Sequence, residues 1–173
     1  MKQIDPNPDD QALLRQFQET GLYEFQDVPG KRLRGKISEA SSQFKARVKT
    51  GQPALLIIYN NMDVLRGFTD PLQMMSAMYG LHEVVLTRSH GPAARVLSVS
   101  HRLGGSRRLT PEHNTTLSAV AVLFEGPEGP YLVVYHNRFA SNPILPEVLR
   151  HPRIFQRSIR EGGPGEFPEW VEV

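Results

Sequence analysis

Basic residues concentrate in one segment of the chain, at a spacing that suits phosphate binding. Between positions 31 and 49 there are seven Lys or Arg and one acid, Glu39. Projected at about 100° per residue, one flank of the helix predicted there carries a polar row made of Arg32, Lys36, Glu39, Gln43 and Arg47. Such a row suits phosphates along a groove, with Gln43 as a neutral donor and acceptor near a reacting centre. The alternative is a solvated helix face whose long basic side chains cover the edges of the core.

A second group of cations stands in the stretch "HRLGGSRRLT". Its Arg102, Arg107 and Arg108 flank two glycines, a composition that suits a loop contacting phosphate. No Lys-Ser or Lys-Thr pair follows those glycines, which excludes nucleotide hydrolysis of the P-loop kind. No serine stands in the glycine-flanked pattern of a hydrolase nucleophile either.

Histidine and asparagine positions give weaker indications of a site. None of the histidines forms a pair at the three- or four-residue spacing of a helical metal site; they stand at positions 82, 90, 101, 113, 136 and 151. His136, in "VVYHNR", is the one we single out. Asn60 and Asn61 end a buried strand, where α/β proteins often place ligand contacts, although Asn also simply suits a turn after a strand.

Composition limits the class of protein. At 173 residues, 39% hydrophobic and 22% charged, the chain has the character of one globular domain. It has no cysteine, which excludes disulfides and thiol chemistry. No apolar run has the roughly 18 residues of a membrane span, and no secretion signal is evident, so we expect a cytoplasmic protein without a membrane partner. The net charge is only +2, so any nucleic-acid hypothesis rests on local charge.

The elements that must position these residues follow from periodicity. We expect helices over residues 9–19, from Lys31 to before Gly51, and from Pro71 to before Gly80. The predicted strands are a short "LYEFQDV" and the clearer "ALLIIY", "EVVLT", "RVLSVS", "LSAVAVLF" and "YLVVYH". This order predicts an α/β domain over residues 1–150, with a mixed sheet flanked by helices. Residues 151–173 are predicted to be an extended tail containing Pro and Gly.

The order of several phrases resembles the later part of nucleases of the restriction-endonuclease-like superfamily, with the PD-(D/E)XK motif. The phrases are "KRLRGKISEASSQFK", "QPALLIIYNN", "AMYG", "RLTPEHNTTLSAVAVLF" and "VVYHNRFASNPI". The resemblance covers most of residues 1 to 147. It implies that an Asp on one strand and a Glu or Asp on the next hold Mg²⁺, while a Lys two residues later assists the reaction.

Two placements of that motif fit the sequence. The first uses Glu24-Phe25-Gln26, with Gln in the place of the Lys and no convincing Asp strand before it. The second, which we prefer, takes Lys2 as the motif Lys, so that the Glu would stand just before Met1. "QIDPNPDD" then connects the catalytic strand to the basic helix.

The preferred placement implies a restriction-endonuclease-like fold lacking its first strands. It makes Lys2 and Gln43 the remaining catalytic residues, with DNA or RNA as the partner. The residues implied in nucleic-acid binding are Arg32, Lys36, Arg47, Arg107 and Arg108. Mg²⁺ is expected for the intact family, but no metal ligands are evident here, so we expect a nuclease-like chain without cleavage activity.

Two other functions are compatible with the same residues. One is a non-catalytic nucleic-acid-binding or regulatory module, in which the basic helix and the arginine loop are the whole function. The other is a protein-interaction domain that uses the proline-containing tail and Trp170 as contacts.

Overall fold

The chain is described here from a computed structural model. The structure describes residues 1–4, 11–12, 15–16, 18–19, 30–47, 51–60, 69–80, 82–89, 95–104, 106–162 and 166–173. Of the predicted first helix, positions 11, 12, 15, 16, 18 and 19 are helical. The predicted strand "LYEFQDV" and the alternative motif placement at Glu24 lie outside the described residues.

A mixed six-stranded sheet forms the centre of the described structure. Its strands are β1 (Lys2–Ile4), β2 (Leu55–Asn60), β5 (Ala119–Gly126), β6 (Gly129–His136), β7 (Ile154–Arg160) and β8 (Glu169–Glu172), in that spatial order. β1, β2 and β5 are mutually parallel, and β6 pairs antiparallel to β5 through a tight hairpin. β7 is parallel to β6, and β8 is antiparallel to β7. The predicted α/β class with a mixed sheet is therefore confirmed.

The central strands are apolar on both faces because both faces are covered. On one face, Leu56, Ile58, Val120 and Val122 pack against the two helices. On the other face, Ala119, Ala121 and Val134 contact a shorter layer that includes Ile144 and Leu149. Part of that layer is the 3-10 helix Pro146–Leu149.

Two helices pack on the first face of the sheet. α1 (Lys31–Arg47) buries Leu33, Ile37 and Ala40, with Phe44 partly buried, which confirms the predicted apolar stripe. α2 (Pro71–Tyr79) starts at the N-cap Asp70, whose carboxylate accepts from the Gln73 amide at 2.8 Å. None of the helices that the structure describes is long and apolar enough to cross a membrane.

Two predicted strands form a separate antiparallel ribbon. β3 (His82–Arg88) pairs with β4 (Val96–Leu103), from His82 opposite Leu103 to Arg88 opposite Val96. Both strands were predicted, but among the described residues they pair only with each other. We call this pair the ribbon arm. Arg102, which the sequence placed in a loop, lies within β4.

The predicted C-terminal tail belongs to the sheet. β7 and β8 extend it beyond residue 150, so the predicted boundary between 1–150 and 151–173 does not separate two structural units. Trp170 of β8 donates its indole N–H to the Pro71 carbonyl at 2.8 Å. Its ring packs on Tyr79 and Tyr135, at centroid distances of 5.8 and 4.8 Å. The sequence did not predict this pairing, because prolines before and between the two strands interrupt the apolar pattern. None of these prolines lies inside β7 or β8.

Candidate nucleic-acid interface

Lys2 faces α1 because of its register on the sheet. β1 pairs in parallel with β2, and Lys2 is the Cα partner of Ile58. Aligned residues of neighbouring strands project from the same face. Ile58 is fully buried under the helices, so Lys2 projects toward the helix side of the sheet. The structure thus brings the first strand of the chain to the basic helix.

A hydrogen-bonded ion pair joins Lys2 to the polar row of α1. The Lys2 ammonium donates to Oε1 of Glu39 at 2.7 Å. The Lys2 side chain is 21% exposed and that of Glu39 is 52% exposed, so water reaches the pair. Both residues were candidates from the sequence, but the contact spans 37 residues and no local pattern predicts it.

The charges around Glu39 favour its ionised form. The hydrogen bond from Lys2 lowers the pKa of the Glu39 carboxyl below its usual value, and the charges of Lys2 and Lys36 act in the same direction. The carboxylate is therefore bonded to one cation, Lys2, and lies in the field of a second, Lys36. The cluster keeps a net positive charge, and Glu39 holds the flexible Lys2 side chain in a defined place.

The rest of the polar row lies along the same helix flank. Arg32 and Lys36 are half-buried, and Gln43 is exposed one turn beyond Glu39. Arg47 is the last residue of α1, and its side chain lies outside what the structure describes. Arg34, which belongs to the same basic segment, is instead buried. Of the predicted row, the side chains of Arg32, Lys36, Glu39 and Gln43 are therefore at least partly accessible, and Lys2 joins them from β1.

Arg107 and Arg108 lie at a different part of the surface. Both are exposed, and the backbone beside them is fixed to the last turn of α2. The amides of Arg108 and Leu109 both donate to the Met78 carbonyl, at 3.2 and 2.8 Å. The last turn of α2 lies near the start of β5. The Tyr79 hydroxyl donates to the His136 carbonyl, and His136 pairs with Ala119, the first residue of β5. Lys2 lies toward the opposite end of the strands, because it pairs with Ile58, whereas Ala119 pairs with Leu55 at the start of β2.

The described residues near Lys2 do not fit the magnesium site that the nuclease resemblance implies. Such a site takes at least two carboxylates or comparable oxygen ligands. Among the described residues the carboxylate bound to Lys2 is that of Glu39, and it is engaged by the ammonium. No group of three His, Asp or Glu that could hold a metal ion occurs in the described part of the chain.

The remaining candidates have structural partners. The His136 ring nitrogen Nε2 lies 3.0 Å from Oε1 of Gln156, whose amide donates to the Pro146 carbonyl at 2.9 Å. This chain of contacts ties β6 and β7 to the 3-10 helix, so the position of His136 has a structural explanation. Asn60 is the last residue of β2 and has a polar partner, and Asn61 lies outside the described residues.

Comparison with known proteins adds no family to this description. No protein-family model, no curated protein and no solved structure matches the chain. What the described residues define is an α/β fold with a mixed six-stranded sheet, the helices α1 and α2 on one face and a separate two-stranded ribbon arm.

Proposed function

We propose that this chain is a nucleic-acid-binding domain related to the restriction-endonuclease-like nucleases, and that it does not cleave phosphodiesters as it stands. In this proposal β1 corresponds to the strand that carries the motif Lys, and α1 to the basic helix that carries Gln43. The observation that supports it is the junction of Lys2 with the α1 row through Glu39. That junction places cations from two elements on one water-accessible surface.

The chemistry of the junction suits the phosphate backbone. An ammonium has three donors, and Glu39 accepts one from Lys2. Lys36 and Arg32 stand on the same helix flank, so a phosphate that approaches Lys2 meets further positive charge. Neutralising phosphates releases condensed counterions, so this binding weakens steeply with salt. Gln43 contributes a neutral donor and acceptor at the end of the row.

The absence of cleavage is part of the proposal because, among the described residues, the carboxylate beside Lys2 is already bonded to that lysine. Metal-assisted hydrolysis requires carboxylates that hold the ion and orient the water. Purified chain incubated with labelled DNA or RNA and Mg²⁺ or Mn²⁺ is expected to leave the strands intact. Metal-dependent cleavage that disappears in Lys2→Ala would overturn this part of the proposal and leave the nuclease relationship standing.

The binding itself is tested by charge reversal on α1. We expect Lys36→Glu to weaken binding of a labelled oligonucleotide about tenfold at low salt and to reduce the salt slope by roughly one phosphate contact. Fluorescence anisotropy across a salt series measures both. Arg47→Glu is expected to act in the same direction.

Lys45→Glu is the matched control for Lys36→Glu. Lys45 is exposed on the same helix, nine residues after Lys36 and therefore about 180° around it. It should leave binding nearly unchanged. Equal effects of the two reversals would show that net charge alone matters, and no effect of Lys36→Glu would remove the α1 surface from the proposal.

The protein-interaction alternative has less support. It takes Trp170 as an exposed contact in a free tail, but the indole ring packs on Tyr79 and Tyr135 and its N–H is bonded to Pro71.

A further inference from the structure

The ribbon arm leaves and rejoins the core at one place. β3 begins two residues after Gly80, the C-cap of α2. The returning chain is fixed by the two amides of Arg108 and Leu109 on the Met78 carbonyl, and the Leu109 side chain is fully buried. The paired region from His82 to Arg88 contains six residue steps, which corresponds to a length of about 20 Å.

The outer half of the arm is exposed on both faces. Residues 95–99 are all exposed. The register shifts at Leu97, which has no partner on β3, but Ser98 and Val99 are successive paired residues that point to opposite faces, so neither face is covered there. Val96, Leu97 and Val99 are 56%, 60% and 50% exposed. An isolated two-stranded ribbon is marginally stable in water, and adjacent exposed apolar side chains are typical of a surface that meets a partner.

The segment that contains the arm and its base has an excess of basic over acidic residues that the rest of the chain lacks. From His82 to Arg108 the sequence has five arginines and one acid, Glu83, whereas the rest of the chain has fifteen basic and seventeen acidic residues. Arg88 and Arg95 stand at the outer end, Arg102 lies near the inner end of β4, and Arg107 and Arg108 follow at the base beside α2. The exposed apolar residues lie between the two groups. A polyanion with an accessible apolar surface is the complementary partner.

We propose that the ribbon arm inserts into the major groove of double-stranded DNA. This inference deepens the proposed nucleic-acid function by naming the substrate class. The major groove of B-form DNA is about 12 Å wide and accommodates a two-stranded ribbon. Val96 and Val99 are the partners of Arg88 and Leu86, two residues apart on β3, so they share one face of the arm. In the proposal these two side chains, with Leu97 between them, meet base edges and thymine methyl groups, while Arg95 at one end of the arm and Arg107 and Arg108 at the other contact the phosphates. A-form RNA has a major groove too deep and narrow for such an insertion.

The test compares variants of the arm with variants of α1 on three labelled substrates of the same sequence: duplex DNA, duplex RNA and single-stranded DNA. Anisotropy at several salt concentrations should show duplex DNA bound more tightly than duplex RNA. Arg95→Glu is expected to weaken binding to duplex DNA about tenfold and to reduce the salt slope by roughly one contact. Its effect on single-stranded DNA should be small. Arg150→Glu, an exposed arginine beside the 3-10 helix, is the matched control and should change little.

Groove choice is tested with duplex DNA methylated at guanine N7, an atom in the major groove. Methylated duplex should bind the wild-type chain more weakly, and this difference should shrink in Leu97→Ser. Equal binding of methylated and unmodified duplex would overturn insertion into the major groove. Because Arg95 and Leu97 are exposed, thermal unfolding should be almost unaffected by either substitution, which separates lost binding from lost folding.

The outcomes distinguish this inference from the proposed function. If Lys36→Glu weakens binding and Arg95→Glu does not, the α1 surface remains supported and the ribbon-arm inference is overturned. If only Arg95→Glu weakens binding, the ribbon-arm inference is supported and the α1 surface is no longer part of the binding site. If the wild-type chain binds no nucleic acid, both proposals fail. A concentration-dependent mass in light scattering that Leu97→Ser abolishes would instead assign the arm to contact with a second copy, and would also overturn the inference.

Discussion

At the scale of single residues, Tyr79 connects three parts of the molecule. Its hydroxyl donates to the His136 carbonyl at 2.9 Å and accepts from the Arg138 amide at 3.2 Å. Its ring contacts Phe139 and Trp170. The sequence predicts only that Tyr79 is an apolar position at the end of a helix. Periodicity indicates which helix face is buried, but it does not indicate which distant polar groups the hydroxyl contacts.

Tyr79→Phe is expected to lower the free energy of unfolding by about 1–3 kcal/mol, since it leaves two backbone groups without their partner. Chemical denaturation measures the change. Tyr59→Phe is the matched control: the Tyr59 hydroxyl donates to Glu125 in an exposed position, at 3.2 Å, and its loss should cost less. Equal costs for the two substitutions would contradict the role assigned to Tyr79.

The same hydroxyl makes stability depend on alkaline pH. Burial raises the pKa of Tyr79 to about 12 from an ordinary value of 10.0. Because the folded pKa is the higher one, the contribution is fully present below pH 10 and is lost as pH rises toward 12. Burial raises the pKa of Tyr135 to about 12 as well, so Tyr79→Phe should reduce the slope of stability against pH in this window without abolishing it. An unchanged slope would show that Tyr79 ionises equally in the folded and unfolded states.

At the scale of elements, Gly30 sets the close approach of α1 to α2. It has a φ of 73°, a left-handed conformation that favours glycine. A Cβ at Gly30 would lie 2.6 Å from the Ala77 nitrogen and 2.8 Å from the Gln73 carbonyl oxygen, both backbone atoms of α2. The Gly30 carbonyl also accepts the Arg34 amide at 2.9 Å, in the first turn of α1.

Gly30→Ala is therefore expected to destabilise the fold by about 2 kcal/mol or more, through backbone strain added to the clash with α2. Gly35→Ala provides a control within α1, because a Cβ there meets nothing within 4 Å. It should stabilise the protein by up to about 1 kcal/mol, as alanine is the better helix former. Thermal or denaturant unfolding of both variants checks the opposite signs, and a neutral Gly30→Ala would contradict the close approach.

Elements were more predictable from the sequence than their arrangement. The spacing of Leu33, Ile37 and Ala40 predicts α1, and the Asp70-Pro71 pair predicts the start of α2, because both are local signals. The Lys2 contact with Glu39 was not predictable, since it depends on β1 pairing with β2. The separate ribbon arm was missed for a similar reason: periodicity identifies β3 and β4 as strands but does not say which sheet they join.

At the scale of the whole molecule, the C-terminal strands complete the main sheet. β7 pairs with β6 and β8 with β7, and Arg160 and Glu169 form an ion pair across the last two strands. The Trp170 contacts then tie β8 back to α2, 99 residues earlier in the chain. The sequence predicts an extended tail here because Pro and Gly interrupt the apolar pattern. Unfolding should distinguish one cooperative unit from a domain with a loose tail.

Trp170 is the only tryptophan in the chain, so its fluorescence reports the C-terminal strands, while far-ultraviolet circular dichroism reports the whole fold. We expect the two unfolding transitions to coincide, as they do for a two-state domain. Trp170→Ala should lower the free energy of unfolding by about 2–4 kcal/mol, since it removes the ring contacts and leaves a partly filled space. Phe167→Ala, at a side chain more than half exposed, should cost less than about 1 kcal/mol. A fluorescence transition that precedes the loss of circular dichroism would instead show that β8 detaches independently, and the sheet would then be stable without its last strand.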